Sequence, residues 1–387
     1  MPDLVAIDLP GGPEFVDVLL KVWDRGDAVL PLDQRLSRDA KRRVIETLKP
    51  GLIVDRGGEQ RLTAGVPVEA GDGLVVASSG TTGEPKGVVL TMAAVEASAH
   101  ATSARLGVDP ERHRWLACLP LNHVGGLSVL TRSLLTGTPC TVLPGFEPDE
   151  VVRHAGRDVF VSLVATALRR VAADRFHTVV LGGSAPPSVV PANVVTTYGM
   201  TETGSGVVYD GVPLDGVEVS LERGAPESGA PQDGAPEIRL RCPMLLRCYR
   251  DGSVPVDSNG WFSTGDSGWI GPDGRLNVEG RLSELIISGG ENVWPAPVEA
   301  ALRSHVGVSE VAVAGLPDPE WGQRVVAWVV PSDPAHPPVL DELRAIVAES
   351  VAPFAAPKQL VLVDSLPKTS IGKVRRDLLD SLTGHRP

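Results

Sequence analysis

Leu74-Val75-Val76-Ala77-Ser78-Ser79-Gly80-Thr81-Thr82-Gly83-Glu84-Pro85-Lys86-Gly87 runs from an apolar stretch into a turn built almost wholly of glycines, hydroxyls and a lysine. The apolar run reads as a buried strand. Met92 to Leu106, with apolar residues at helical spacing, reads as the helix after it, so the segment is expected to form a βα unit. In the turn, glycines let the backbone curl with its N–H groups inward, hydroxyls add donors, and Lys86 adds a positive charge. Such a set suits phosphate oxygens. Counted from Gly80, the GxxxxGK[ST] pattern needs glycine where Pro85 stands and Ser or Thr where Gly87 stands, so this is a phosphate loop of a different kind.

Outward from that loop, short apolar runs recur at Trp115 to Leu119, Thr141 to Leu143, Val179 to Leu181 and Val194 to Thr197. Strands alternating with helical stretches predict an α/β domain around a mostly parallel sheet covered on both faces. From Val217 the period changes to two, with Val217, Val219 and Leu221 and then Ile238 and Leu240, which predicts an antiparallel β subdomain. Glu222 to Pro236, with Gly-Ala-Pro three times, is too poor in large apolar groups to offset its ordering entropy and is expected to be an exposed hairpin loop. Beyond residue 280, helices at Val298 to Leu302 and Leu340 to Ser350 and strands at Val311 to Ala314 and Val325 to Val330 predict a small α+β domain.

The 387 residues carry 36 Lys and Arg against 48 Asp and Glu, a net charge of −12. That excess argues against nucleic acid or an anionic membrane surface as partner. No run approaches the length of a membrane span, and Met1-Pro2-Asp3 lacks the basic and apolar regions of a signal peptide, so a cytoplasmic location is expected. Cys118, Cys140, Cys242 and Cys248 form no CxxC pair; buried reduced thiols are expected in place of a metal cluster or a disulfide scaffold.

Five stretches in order resemble the adenylate-forming superfamily of acyl-CoA ligases, peptide-synthetase adenylation domains and luciferases. The phosphate loop is one. Tyr198-Gly199-Met200-Thr201-Glu202 is similar to its adenine-and-magnesium motif and Ser263-Thr264-Gly265-Asp266 to its ribose motif. Gly280-Arg281-Leu282-Ser283-Glu284 resembles its inter-domain hinge, and Pro367-Lys368-Thr369-Ser370-Ile371-Gly372-Lys373 its C-terminal lysine loop. The resemblance implies that fold with an abbreviated N-terminus: an N-terminal domain over residues 1–280, a hinge at 281–284 around Ser283, and a small mobile C-terminal domain over 285–387.

It also implies the site. Ser78, Ser79, Gly80, Thr81, Thr82, Gly83 and Lys86 would hold the phosphates of ATP. Gly182, Gly183, Ser184, Tyr198 and Gly199 would flank adenine, and Asp266 with Arg281 would take the ribose hydroxyls. Glu202 is a hard oxygen ligand for Mg²⁺, with Thr201 beside it. Lys373 would neutralise charge building on the phosphorus oxygens and departing pyrophosphate during adenylation. His123 would gate the acyl site or hydrogen-bond the acyl group, and the face near Gly289 and Gly290 would form a tunnel for the coenzyme A thiol.

The short N-terminal region, with Ser162 to Ala165 and Val208 to Val217, resembles the short o-succinylbenzoate–CoA ligases of menaquinone synthesis in actinobacteria. The implied activity is ATP- and Mg²⁺-dependent ligation of a small carboxylic acid, o-succinylbenzoate foremost, to coenzyme A. A ligase for another small aromatic or short-chain acid, an adenylation enzyme loading a carrier protein, and a nucleotide-binding relative without catalysis remain open. A missing N-terminal layer would be dispensable or replaced by a partner subunit, which leaves a homo-oligomer open.

Overall fold

The computed structural model describes residues 1–79, 85–184, 186–187, 189–223, 235–368 and 374–383. Gly80, Thr81, Thr82 and Gly83 of the phosphate loop, most of the Gly-Ala-Pro loop, and Lys373 lie outside the described residues. By compactness the chain falls into two units. One comprises Met1–Val219, Leu240–Ser263 and Pro272–Leu276; the other comprises Ser220–Arg239, Thr264–Gly271 and Asn277–Pro387.

The first unit contains two seven-stranded sheets. In one, Leu4–Ile7 pairs in parallel with Ala28–Pro31 and with Leu52–Asp55, and Ala28–Pro31 pairs in turn with Asp72–Ser79. Leu4, Val5, Ala6 and Ile7 are all buried, as a strand covered on both faces requires. In the other, Arg114–Ala117, Cys140–Val142, Val159–Val164, Thr178–Gly182 and Val194–Gly199 run parallel, and Gly206–Tyr209 turns back antiparallel. Helix Met92–Leu106 packs on strands of the first sheet, helix Val124–Thr136 on strands of the second, and the two helices pack on each other. That pair forms the layer between the sheets. Thr91 caps the first of them by accepting from the Ala94 amide at 3.1 Å, and Gly107 ends it at φ 65°.

One expectation fails here. Asp72–Ser79 is followed by a second strand, Pro85–Thr91, which returns antiparallel with Ala77 opposite Gly87 and Ser79 opposite Pro85. The phosphate loop therefore joins the arms of a hairpin, and the helix begins one strand later. Val88, Val89 and Leu90, each 1% exposed or less, are the cause: that apolar run is buried by extending the sheet. Thr91 then passes straight into its helix, with no glycine or proline to mark the join.

In the second unit most of a four-stranded sheet is assembled from Glu218–Glu222, Glu237–Arg241, Phe262–Ile270 and Leu276–Arg281. In a further five-stranded sheet the long hairpin Val308–Asp318 and Gly322–Pro331 forms one edge, and Gly322–Pro331 also pairs with Ile286–Ser288 and with Gln359–Leu362. Helices Pro295–Leu302 and Leu340–Ser350 bury Val298, Leu302, Leu343 and Val347 against it, the α+β arrangement expected from the helix and strand pattern beyond residue 280. No helix among the described residues is long and apolar enough to cross a membrane.

Candidate active site

In the first unit, Thr178–Gly182 and Val194–Gly199 are parallel neighbours, with Leu181 opposite Thr196. Gly182 and the Tyr198-Gly199 pair thus end adjacent strands at their carboxyl edge, where open α/β sheets bind ligands. A Cβ on Gly199 would lie 2.2 Å from the Ser205 carbonyl oxygen, so only glycine lets the chain close on itself there. The tight turn it permits, Thr201–Thr203, presents Glu202. Thr203 is fully buried and spent on this turn: its hydroxyl accepts from the Met200 amide at 3.0 Å and donates to the Ser205 carbonyl at 2.7 Å.

Glu202 is not isolated. The Tyr249 hydroxyl donates to its Oε1 at 3.0 Å, and the Leu246 amide donates to its backbone oxygen at 2.8 Å. Lys86 lies with its Nζ 5.1 Å from the centroid of the same Tyr249 ring. Sequence reasoning assigned Lys86 and Glu202 but passed over the tyrosine between them. Ser78, across the hairpin, is paired with Lys86. Among the described residues no three His, Cys, Asp or Glu side chains converge as a metal cage. Mg²⁺ is commonly held by one or two carboxylates together with substrate phosphates, and Glu202 is a carboxylate of the kind that could serve, its Oε1 bonded to Tyr249.

His123 sits at the N-cap of helix Val124–Thr136, its carbonyl receiving the Gly126 and Leu127 amides. A Cβ on Gly126 would fall 2.4 Å from the Leu119 carbonyl, so this glycine serves the close approach of two backbone segments. The imidazole Nε2 is 3.4 Å from Arg35 Nη2, and Arg35 is held in turn by two hydrogen bonds to buried Asp33, at 2.8 and 2.7 Å. Burial raises the Asp33 pKa, but the Arg35 bonds outweigh it and keep the carboxyl below its ordinary range. Arg35 has no motif to betray it in the sequence.

Two turns further along that helix is Arg132, 2% exposed. Its Nη2 donates to Ser205 Oγ at 3.2 Å and its guanidinium lies 4.7 Å from the Trp115 ring centroid, yet Nε and Nη1 have no hydrogen-bond partner. Burial pushes its pKa below the usual arginine value. Ser205 also donates to Ser128 at 3.3 Å, and a small cavity of about 10 Å³, which Arg132 does not line, borders Val124, Leu127, Ser128, Thr131 and Gly204. A buried guanidinium with two N–H-bearing nitrogens left without partners carries hydrogen-bonding capacity that the described residues do not use.

In the second unit, Arg281 and Asp266 come together: Nε to Oδ1 is 2.8 Å, with Asp266 6% exposed. Arg281 Nη1 also donates to the Thr264 carbonyl at 3.0 Å, while Thr264 Oγ1 receives the Asp266 amide. Gly289 and Gly290, at φ 64° and 84°, form the two-residue turn of the hairpin Ile286–Ser288 and Glu291–Val293. Beside it lies an open groove lined by Ser288, Trp321, Arg344, Phe354 and Lys358. Lys358 Nζ is 4.3 Å from the Trp321 ring centroid and donates to Ser288 Oγ at 3.4 Å. Ser283 lies in the short turn Leu282–Glu284. The four thiols are free. Cys118 and Cys248 are buried but Cys140 and Cys242 only half-buried, and burial pushes Cys118 up to about 12 and Cys140 to about 11.

The family described as AMP-binding enzyme matches residues 74–236, and the AMP-binding enzyme C-terminal domain matches residues 297–373. A probable 2-succinylbenzoate–CoA ligase of Mycobacterium tuberculosis is 40% identical over 344 residues, covering 82% of this chain and 86% of the relative. A 2-succinylbenzoate–CoA ligase of Listeria monocytogenes is 34% identical over 325 residues, 79% of this chain and 69% of the relative. Among solved structures, o-succinylbenzoate coenzyme A synthetase of Bacillus subtilis superposes with a TM-score of 0.83 at 29% identity, over 97% of this chain and 88% of that one; that structure holds the acyl-adenylate intermediate. A second structure of the Bacillus enzyme, with ATP and magnesium, gives 0.83 over 98% and 89%.

Proposed function

The chain belongs to the AMP-binding enzyme family, and we propose that it is an AMP-forming acid–CoA ligase whose acid is o-succinylbenzoate. The acid's carboxylate oxygen attacks the α-phosphorus of ATP, the α–β phosphoanhydride bond breaks, and pyrophosphate leaves. The thiolate of coenzyme A then attacks the acyl carbonyl and AMP departs with the electron pair of the broken C–O bond. Arg132 is the observation that carries the choice of acid. o-Succinylbenzoate has two carboxylates, and only one reacts; the other needs donors inside the protein, which the unpartnered Nε and Nη1 provide. A monocarboxylic acid would leave that buried cation bare.

The remaining roles follow from chemistry. Lys86 and the loop from Ser78 to Gly83 take the triphosphate, Tyr198, Gly182, Gly183, Ser184 and Gly199 flank adenine, and Asp266 accepts from the ribose hydroxyls while Arg281 holds it. Glu202 with Thr201 serves the magnesium side; when bound, Mg²⁺ supplies charge neutralisation at the phosphates. Lys373 delivers its ammonium to the adenylation step. Residues 285–387 turn about the hinge at 281–284, with Ser283 at its pivot, relative to residues 1–280. The Gly289-Gly290 turn and the aromatic, cationic groove at Trp321, Lys358 and Arg344 then receive coenzyme A, whose adenine and phosphates suit such a surface. His123 borders the acyl group. The enzyme works in the cytoplasm, where both ATP and the thiol are at hand.

The test is acid-dependent pyrophosphate release, with coenzyme A present, across o-succinylbenzoate, benzoate, short and long fatty acids, malonate and amino acids. o-Succinylbenzoate is expected to give the highest kcat/KM. An analogue without the distal carboxylate should lose roughly 2–4 kcal/mol of transition-state binding, because buried donors go unpaired. Equal performance by benzoate or a medium-chain acid would remove the assignment of the acid.

A further inference from the structure

We propose that Tyr249 is a positioning residue of the nucleotide and metal site: it orients the Glu202 carboxylate for the metal ion and holds Lys86 apart from that carboxylate. The inference deepens the function proposed above and rests on its assignment of Glu202 to Mg²⁺. Three observations carry it. The phenol touches both charged groups in different ways, with its hydroxyl on Glu202 Oε1 at 3.0 Å and its ring 5.1 Å from Lys86 Nζ. The strand Cys248–Tyr249 pairs antiparallel with Pro85–Thr91, Tyr249 opposite Val88, so Lys86 is the diagonal neighbour two residues away on the same face. The segment that carries the tyrosine is also bound to Glu202 itself, through the Leu246 amide on the Glu202 carbonyl at 2.8 Å.

The tyrosine has little freedom to do anything else. Its amide donates to the Ser253 carbonyl at 2.8 Å and its carbonyl receives the Gly252 amide at 2.9 Å. The next residue, Arg250, is fastened to the carbonyls of Leu48 and Pro67 at 3.0 and 2.9 Å. A fixed donor on Oε1 sets the carboxylate plane and leaves Oε2 for a cation, the kind of outer contact that orients a metal ligand. The ring does the complementary service for the lysine. An ammonium and a carboxylate in one small site tend to pair, and a pair would spend the charges that the phosphates and the metal need. Contact with a π face satisfies the ammonium without neutralising it, so the lysine stays available to an incoming phosphate.

The experiment compares wild type, Tyr249→Phe, Tyr249→Leu and Glu202→Gln, each verified by thermal melt. Mn²⁺ binding in the presence of a non-hydrolysable ATP analogue is followed by electron paramagnetic resonance, and metal-free analogue binding by calorimetry. Tyr249→Phe keeps the ring and loses the donor; it should weaken Mn²⁺ binding on the order of 10-fold while metal-free nucleotide binding holds. Tyr249→Leu should weaken both. Pyrophosphate assays should show the same split, with the Mg²⁺ requirement raised and the KM for the acid unmoved. If Tyr249→Phe binds Mn²⁺ like wild type while Glu202→Gln does not, the tyrosine assignment is wrong. If Glu202→Gln also binds normally, the metal carboxylate lies elsewhere and the inference falls with it. Metal-free binding that is equal in Tyr249→Leu and Tyr249→Phe would overturn the role given to the ring.

Discussion

Two arginines, one in each unit, show what a binding group looks like when the protein has finished with it and when it has not. Arg281 is half exposed, and its guanidinium is matched by the buried Asp266 carboxylate and the Thr264 carbonyl. Arg132 is almost wholly buried, has one serine hydroxyl for a partner, and keeps two donors unused. The first geometry is stable by itself and hands its function on through Asp266. The second costs folding free energy, because a buried charge without partners is among the more expensive things a core can hold. In the function proposed above, that stored cost is returned when the ligand's anion arrives.

That contrast predicts opposite trade-offs. Arg132→Met removes the cation and keeps the volume. It should leave Tm unchanged or raised, since apolar replacement of buried charge is often neutral or stabilising. It should also lower kcat/KM for o-succinylbenzoate by about 10²-fold or more, the scale of removing one partner of a buried charge pair. Selectivity over benzoate should collapse with it. A fall in Tm with selectivity preserved would make Arg132 a structural residue and erase the comparison.

Asp266→Asn should do the reverse in smaller measure. The amide cannot serve Arg281 and two ribose hydroxyls as a carboxylate does, so Tm should fall and the KM for ATP should rise by roughly 10-fold. Because Arg281 has half its side chain in solvent, water screens part of the loss. Thermal melts and ATP titrations of the two variants side by side decide whether these two arginines, one in each unit, differ as described.

The same contrast explains what was legible in the sequence. Tyr198 to Glu202 and Gly280 to Glu284 stand at strand ends and turns, and Ser263 to Asp266 lies within the strand Phe262–Ile270 around Gly265 at φ 71°, so glycines and hydroxyls needed for backbone reasons form readable strings. Arg132 stands inside a helix between Thr131 and Ser133, where the sequence shows only a polar residue in an apolar stretch. Nothing local says that it points into a core. Tyr249 and Arg35 act through partners 47 and 88 residues away, distances that no spacing rule spans. Of the chain's 3 tyrosines, Tyr198 ends a strand at the candidate site and Tyr249 bonds Glu202, while Tyr209 is buried against Thr102 at 3.2 Å. The hairpin arm Pro85–Thr91 was missed for the opposite reason. Its residues are strand-like throughout, but they run into the helix without a breaker, and the unit was read one element short.

The smallest expected effect concerns a third cation, Lys358, which lies between the two extremes. It has a ring and a hydroxyl for company and no carboxylate on its ammonium, and burial, aided by nearby Arg344, lowers its pKa from the ordinary lysine value of 10.5. Lysine is charged below its pKa, so a depressed value means that the ammonium is lost at a lower pH than in an unperturbed lysine. If that ammonium meets a phosphate of coenzyme A, the KM for coenzyme A should rise as pH climbs toward the alkaline range, before 10.5 is reached, while the KM for the acid in pyrophosphate release stays level. The same sign governs stability: the folded state disfavours the charged form, so folding gains as pH rises through the lowered pKa. Lys358→Met should therefore not reduce Tm. It should raise the KM for coenzyme A by roughly 3- to 10-fold, the worth of one partly screened charge-assisted contact, and it should flatten the alkaline rise. A variant that keeps the wild-type pH profile for coenzyme A would show that this groove holds a lysine for packing on Trp321 alone.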